Sequence, residues 1–349
     1  MAARLLHPRP ATPPRPMLPT MARPATLLAF TLALAGSDPT LPAVAAPASW
    51  LTGNPADAKP VRTRPGLLLA GGGGDVEAAW RWFVDCAGGG DIVVLRASGA
   101  DGYNDYLHRR IGGIDSVETL LFRNAEEALD PAALAVIARA EGLFLAGGDQ
   151  ARYIEWWKDG PVGAALNAHL RAGKPLGGSS AGLAVLGQYY FPALRDTVTS
   201  ATALRDPFAP AVTLGTGFIA APALAGVITD SHFSARQRLG RLVVFLARLR
   251  DAGAPASLAG IGIDEATALC VEPDGIGVVF TERAGRVWLV EAPTPPRSLA
   301  AGQPLEQTGV RVTGIGPGSR LDLPARRVEG QALRQVFAAE GGRITETPP

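Results

Sequence analysis

Cysteine is nearly absent: Cys86 and Cys270 are the only two in 349 residues. Two thiols are too few for a disulfide scaffold or a thiolate-held metal, and they read as buried free thiols. Histidine is scarce as well. His7, His108, His169 and His232 show no H-x-x-x-H type of spacing, which argues against a metal site and leaves no cofactor to expect. Neither sign of charge dominates, with 33 Lys and Arg against 32 Asp and Glu. Such a balance provides no electrostatic footprint for nucleic acid or an anionic membrane.

What is present begins with four arginines, Arg4, Arg9, Arg15 and Arg23, ahead of the apolar run 26–35 and the small-residue site Ala43-Val44-Ala45. The run is too short to span a bilayer comfortably, and the order is that of a secretory signal peptide over residues 1–45. Met17 or Met21 could be the true start. Removal near Ala45 leaves a formal charge of about −2 and a secreted or periplasmic protein without membrane contact. No cysteine lies at the cleavage region to carry a lipid.

Residues 46–64 lack periodicity and read as a linker. From 65 to 291, short continuous apolar runs (66–70, 91–95, 118–122, 142–146 and 174–177) alternate with helical segments starting near Val76, Pro131, Asp149 and Val162. That alternation predicts an α/β domain with a largely parallel sheet and helices on both faces. A long helix is expected from Ser234 to about Arg250. Beyond Glu265 the turn signals Asp274-Gly275 and Ala284-Gly285 predict a β-rich edge. A C-terminal extension over 292–349 should pack on this domain, with a helix at 331–339.

Gly178-x-Ser180-x-Gly182 follows a predicted strand and opens a predicted helix, the context of a nucleophile elbow. The helix start would place the Ala181 amide where an oxyanion develops. His232, in Asp230-Ser231-His232-Phe233 beyond another strand, is the plausible base, whereas His108 sits among basic residues and His169 reads as a helix surface position. For the orienting acid Glu265 is favoured, with Asp264 and Asp230 as competitors. With the acid after the histidine, the order Ser, His, Glu opposes that of α/β-hydrolase esterases and disfavours that reading. Gly147-Gly148-Asp149-Gln150 could bring a backbone amide, at Gly148, and the Gln150 side chain to the reacting carbonyl. Gly71 to Gly74 fails the dinucleotide fingerprint at Val76 and reads as a tight loop near the pocket. Arg236, Arg238 and Arg241 follow the base, the last two on one helix face, and suit a carboxylate-bearing substrate.

These blocks together resemble the cyanophycinase and aspartyl dipeptidase (peptidase E) family. The resemblance implies a class I glutamine-amidotransferase-like α/β fold. It implies Ser180 as nucleophile, His232 as base and Glu265 as orienting acid, with Gln150, Asp230, Ser231 and the three arginines around a peptide substrate, cyanophycin or aspartyl peptides. Cyanophycinases act as exopeptidases on β-linked aspartyl-arginine units. Ser179 and Ser231 stand where that branch usually has Thr and Gln. A dipeptidase without polymer activity and a non-catalytic binder of acidic peptides are the alternatives, and a homodimer is allowed.

Overall fold

The computed structural model describes residues 45–348, so the expected signal peptide lies outside the described residues apart from Ala45. In chain order the first strands are β1 (Ala48–Gly53), β2 (Leu67–Ala70), β3 (Asp91–Arg96), β4 (Ser116–Leu121), β5 (Gly142–Leu145), β6 (Leu176–Ser179), β7 (Tyr189–Tyr190), β8 (Gly215–Thr216) and β9 (Val227–Asp230). They continue as β10 (Ala259–Ile263), β11 (Thr267–Val271), β12 (Ile276–Thr281), β13 (Val287–Glu291), β14 (Gln307–Ile315), β15 (Arg320–Asp322), β16 (Arg327–Glu329), β17 (Ala332–Glu340) and β18 (Arg343–Thr347). The α-helices are α1 (Glu77–Cys86), α2 (Gly102–Asp105), α3 (Pro131–Arg139), α4 (Gln150–Trp157), α5 (Pro161–Arg171), α6 (Ala181–Ala184), α7 (Ser200–Arg205) and α8 (Leu239–Asp251).

The architecture is α/β, as the sequence implied, but the strands divide between two sheets. The first runs β1-β4-β3-β5-β6-β2-β11-β12-β15-β16. Its centre, β4-β3-β5-β6-β2, is parallel, and antiparallel strands flank it. Helices cover both faces of that centre, so β3 is apolar on both sides: Ile92 and Val94 pack with Trp80 and Phe83 of α1, while Val93 and Leu95 pack with Ile137 of α3 and Leu166 of α5. Each such side chain, wholly removed from water, contributes about 1.5–3 kcal/mol. Asp130 caps α3, accepting the Ala133 amide at 2.9 Å, with Pro131 in the first turn.

The second sheet runs β18-β17-β14-β13-β10-β9-β7-β8. Leu242, Phe245 and Leu246 of α8 cover one of its faces, against Ile228 and Val290. Ile261, Ile263 and Leu289 on the other face join Leu69 and Val271 of the first sheet in one core.

Three expectations are corrected. The linker 46–64 contains β1, which pairs antiparallel with β4 from Ala48 opposite Leu121 to Gly53 opposite Ser116. It is an edge strand with only half-buried and exposed positions, so its sequence carries no apolar run to announce it. The 331–339 segment is the strand β17, not a helix; its Leu333, Val336 and Phe337 mimic helical spacing, and pairing with β14 and β18 overrides that local pattern. The helix expected from Ser234 starts only at Leu239, because Gln237 adopts φ 51° and the Arg238 amide turns back to the Phe233 carbonyl at 2.9 Å. The 292–349 extension is built into both sheets through β14 to β18.

Candidate active site

The parallel centre of the first sheet delivers Ser180 at the carboxyl end of β6. Ser180 sits at φ 53°, ψ −113°, a conformation that non-glycine residues rarely take, and α6 begins directly after it. The flanking glycines are a packing requirement. A Cβ on Gly178 would lie 2.6 Å from the Gly182 carbonyl carbon, and one on Gly182 would collide with the Leu145 carbonyl oxygen of β5.

His232 and Glu265 come from the second sheet, at the carboxyl ends of β9 and β10, so the constellation bridges the two sheets. Ser180 Oγ lies 2.7 Å from His232 Nε2, and His232 Nδ1 lies 2.7 Å from Glu265 Oε1. A neutral imidazole fits this chain in one tautomer: Nδ1–H donates to the Glu265 carboxylate and Nε2 accepts the serine hydroxyl. Burial lowers the proton affinity of His232, and the Arg236 and Arg238 charges lower it further, against the raising effect of Glu265. The hydrogen bond from His232 holds the Glu265 carboxyl below its usual range. Both shifts favour the charge states that the chain requires.

The glycine-rich loop after β2 forms the wall behind these groups. Gly71 accepts the His232 amide at 2.9 Å and Gly72 accepts the Ala266 amide at 2.8 Å. Gly72 has φ +87°, and a Cβ there would stand 2.7 Å from His232 Nε2. The loop was legible as a neighbour of the pocket but not as a backing for the imidazole.

Two backbone segments lie beside the Ser180 side chain, the start of α6 and the turn after β5. The Ser180 amide is taken by the Ala70 carbonyl at 3.1 Å, whereas the Ala181 amide has no acceptor among the described residues. The turn at Gly147 and Gly148 passes alongside, so that a Cβ on Gly147 would lie 3.8 Å from Ser180 Oγ. Asp149 caps α4 by accepting the Ala151 amide at 3.0 Å.

The competing carboxylates have other partners. Asp264 accepts from the Ser234 amide, the Arg286 amide and Trp288 Nε1, at 2.9, 3.0 and 3.0 Å. Asp230 is buried in a pair with Arg241, Oδ2 to Nε at 2.8 Å and Oδ1 to Nη2 at 2.6 Å, and takes Arg238 Nη1 at 3.1 Å. Arg241 is 2% exposed. Asp230 and Arg241, expected around the substrate, are therefore closed off from it. Ser231 is also buried, and its hydroxyl accepts from Arg238 at 3.2 Å. His169, expected on a helix surface, is buried and held by the Pro175 carbonyl at 2.9 Å.

Among proteins of known type, the chain is 32% identical over 287 residues to the cyanophycinase of Synechococcus elongatus, covering 77% of this chain and 82% of the relative. The chain belongs to the cyanophycinase family. With that family it is a serine-type peptidase. The cyanophycinase of Trichormus variabilis is 31% identical over 221 residues, 62% of this chain and 68% of its own length. No protein-family model matches the chain. Among solved structures, a peptidase from an acI-B1 Actinobacterium aligns with TM-score 0.48 and 18% identity, over 69% of this chain and 96% of that one.

Beside the constellation of this cyanophycinase-family chain opens a cavity of about 700 Å³. Gln150, Arg236, Arg238 and Gly148 line it, so these four expected residues do converge on one space. Glu155, Trp156 and the 193–197 loop line it too. None of these has a motif, and only the fold brings them to the site. Among the described residues no group of three or more His, Cys, Asp or Glu side chains could hold a metal ion. Cys86 and Cys270 are free and buried, and burial pushes the Cys86 thiol up to about 12.

Proposed function

We propose that the mature chain is an exported serine exopeptidase of cyanophycinase type, hydrolysing β-aspartyl-arginine units or aspartyl peptides through Ser180, His232 and Glu265. The observation that carries this reading is the unbroken chain of two 2.7 Å contacts from Ser180 Oγ through the imidazole to Glu265. His232 takes the hydroxyl proton as Ser180 Oγ attacks the aspartyl carbonyl carbon, and Glu265 stabilises the imidazolium. The Ala181 amide, with that of Gly148, holds the oxyanion. Collapse of the tetrahedral intermediate passes the proton to the leaving amine and leaves an acyl-serine, which water activated by His232 then hydrolyses.

Arg236, Arg238 and Gln150 take the carboxylate of the substrate. Arg238 is pre-aimed, because Asp230 and Ser231 fix one of its terminal nitrogens. Purified mature protein is expected to release β-aspartyl-arginine from cyanophycin or to cleave β-aspartyl dipeptides, and to be labelled by a fluorophosphonate. Ser180→Ala should abolish both. Turnover that survives this substitution would refute the assignment.

A further inference from the structure

The cavity next to Ser180 carries both signs of charge, and its acids are not equivalent. Asp149 is occupied by the Ala151 amide and by Arg152 at 3.3 Å. Asp196 accepts the Thr197 amide at 2.6 Å. Glu155, on the exposed side of α4, has no partner among the described residues. Arg236 likewise has none, and it stands close enough to His232, with Arg238, to depress the proton affinity of the imidazole. Arg123, Arg152 and Arg195 line the cavity as well, but Arg123 is paired with Glu127 and Arg152 with Asp149, so Arg236 and Arg238 are the arginines at the His232 side and an unpaired carboxylate lies further along α4.

From this arrangement we infer that Glu155 is the specificity-determining residue of the site, taking the guanidinium of an arginyl branch on the substrate while Arg236 and Arg238 hold the carboxylate of that branch. The inference rests on the proposed function and names which part of the substrate is read. In a β-linked aspartyl-arginine unit the branch carboxylate lies six bonds from the scissile carbonyl carbon and the guanidinium carbon lies ten. Ten bonds extend to roughly 12 Å, and six to roughly 7 Å. Glu155 is five residues beyond Gln150, about 7.5 Å along the helix. The near charge on the branch thus meets the near arginines, and the far charge meets the far acid.

The test uses the mature protein and two synthetic aspartyl oligomers, one with β-linked arginine branches and one with neutral norleucine branches. Glu155→Gln should raise KM for the arginyl oligomer about 10-fold or more, the scale of one charge-assisted hydrogen bond, with kcat unchanged. The norleucyl oligomer should be unaffected, and Glu155→Asp should restore part of the preference. Because Glu155 is exposed on a helix, the circular dichroism of these variants should match that of the parent. An arginyl-to-norleucyl ratio of kcat/KM that stays the same in Glu155→Gln overturns the inference while leaving the hydrolase reading intact. Hydrolysis that persists in Ser180→Ala removes the hydrolase reading itself.

Discussion

Asp230 and Arg241 form a two-pronged ion pair in the interior, 2.8 and 2.6 Å long, with Asp230 two residues before His232. Arg241 Nη1 also donates to the Val198 carbonyl at 3.2 Å, and its amide donates to Ser200 Oγ at 3.0 Å. The pair ties β9 to α8 and to the segment entering α7. Its removal acts on the frame that holds His232 and Arg238.

Breaking one side of such a pair strands a buried charge, at a cost of about 3–5 kcal/mol. Arg241→Met and Asp230→Leu should each lower stability by that order in denaturant titrations. The double variant should recover a large part of the loss, since no uncompensated charge remains. Equal and additive losses would show that the pair is not the source.

Gly72 supplies a prediction about the loop behind the imidazole. Gly72→Ala places a methyl 2.7 Å from His232 Nε2, at a φ of +87° that alanine tolerates poorly. Displacing the ring by part of an ångström should reduce kcat on the order of 100-fold with KM little changed. Steady-state kinetics on a β-aspartyl peptide would read this, and an unchanged kcat would mean the loop yields freely.

The acidic limb of the pH–rate profile should follow His232. Its proton affinity is lowered, so the neutral base persists on the acid side of an ordinary histidine. Arg236→Gln removes one lowering charge, and the limb should move to higher pH. Glu265→Gln removes the raising partner and should move it to lower pH while kcat falls by about 10⁴, the loss seen when an orienting carboxylate goes. A neutral ester substrate separates these shifts from carboxylate binding.

Much of this was legible in the sequence. Ser180, His232 and Glu265 each follow a short apolar strand, and strand ends are where parallel sheets collect function. The division into two sheets was not legible, since β6, β9 and β10 all look like buried strands whichever sheet holds them. Nor could order along the chain reveal that Arg241 faces Asp230, because the 234–238 segment is a series of turns rather than the start of α8. Leu333, Val336 and Phe337 suggested a helix for the same reason: local spacing carries no information about the strands waiting at β14 and β18. Glu155 had no signal at all, being one more charged residue on a helix surface until the fold places it in the wall of the cavity with Gln150, Arg236 and Arg238.

His169 yields a stability prediction distant from the site. Its Nε2 binds the Pro175 carbonyl at 2.9 Å, and its Nδ1 is buried without a partner among the described residues. Burial, reinforced by Lys174, pushes its pKa down from 6.5 to about 4 despite the carbonyl. The folded state therefore refuses a proton that the unfolded chain accepts below pH 6.5. Stability should fall as pH drops from about 6.5 to about 4 and then level off for this group, a loss of about 3 kcal/mol in all. His169→Gln keeps a donor for Pro175 but cannot titrate. In that variant the corresponding part of the acid destabilisation should disappear from denaturant midpoints measured across this window, and an unchanged slope would assign the loss to other groups.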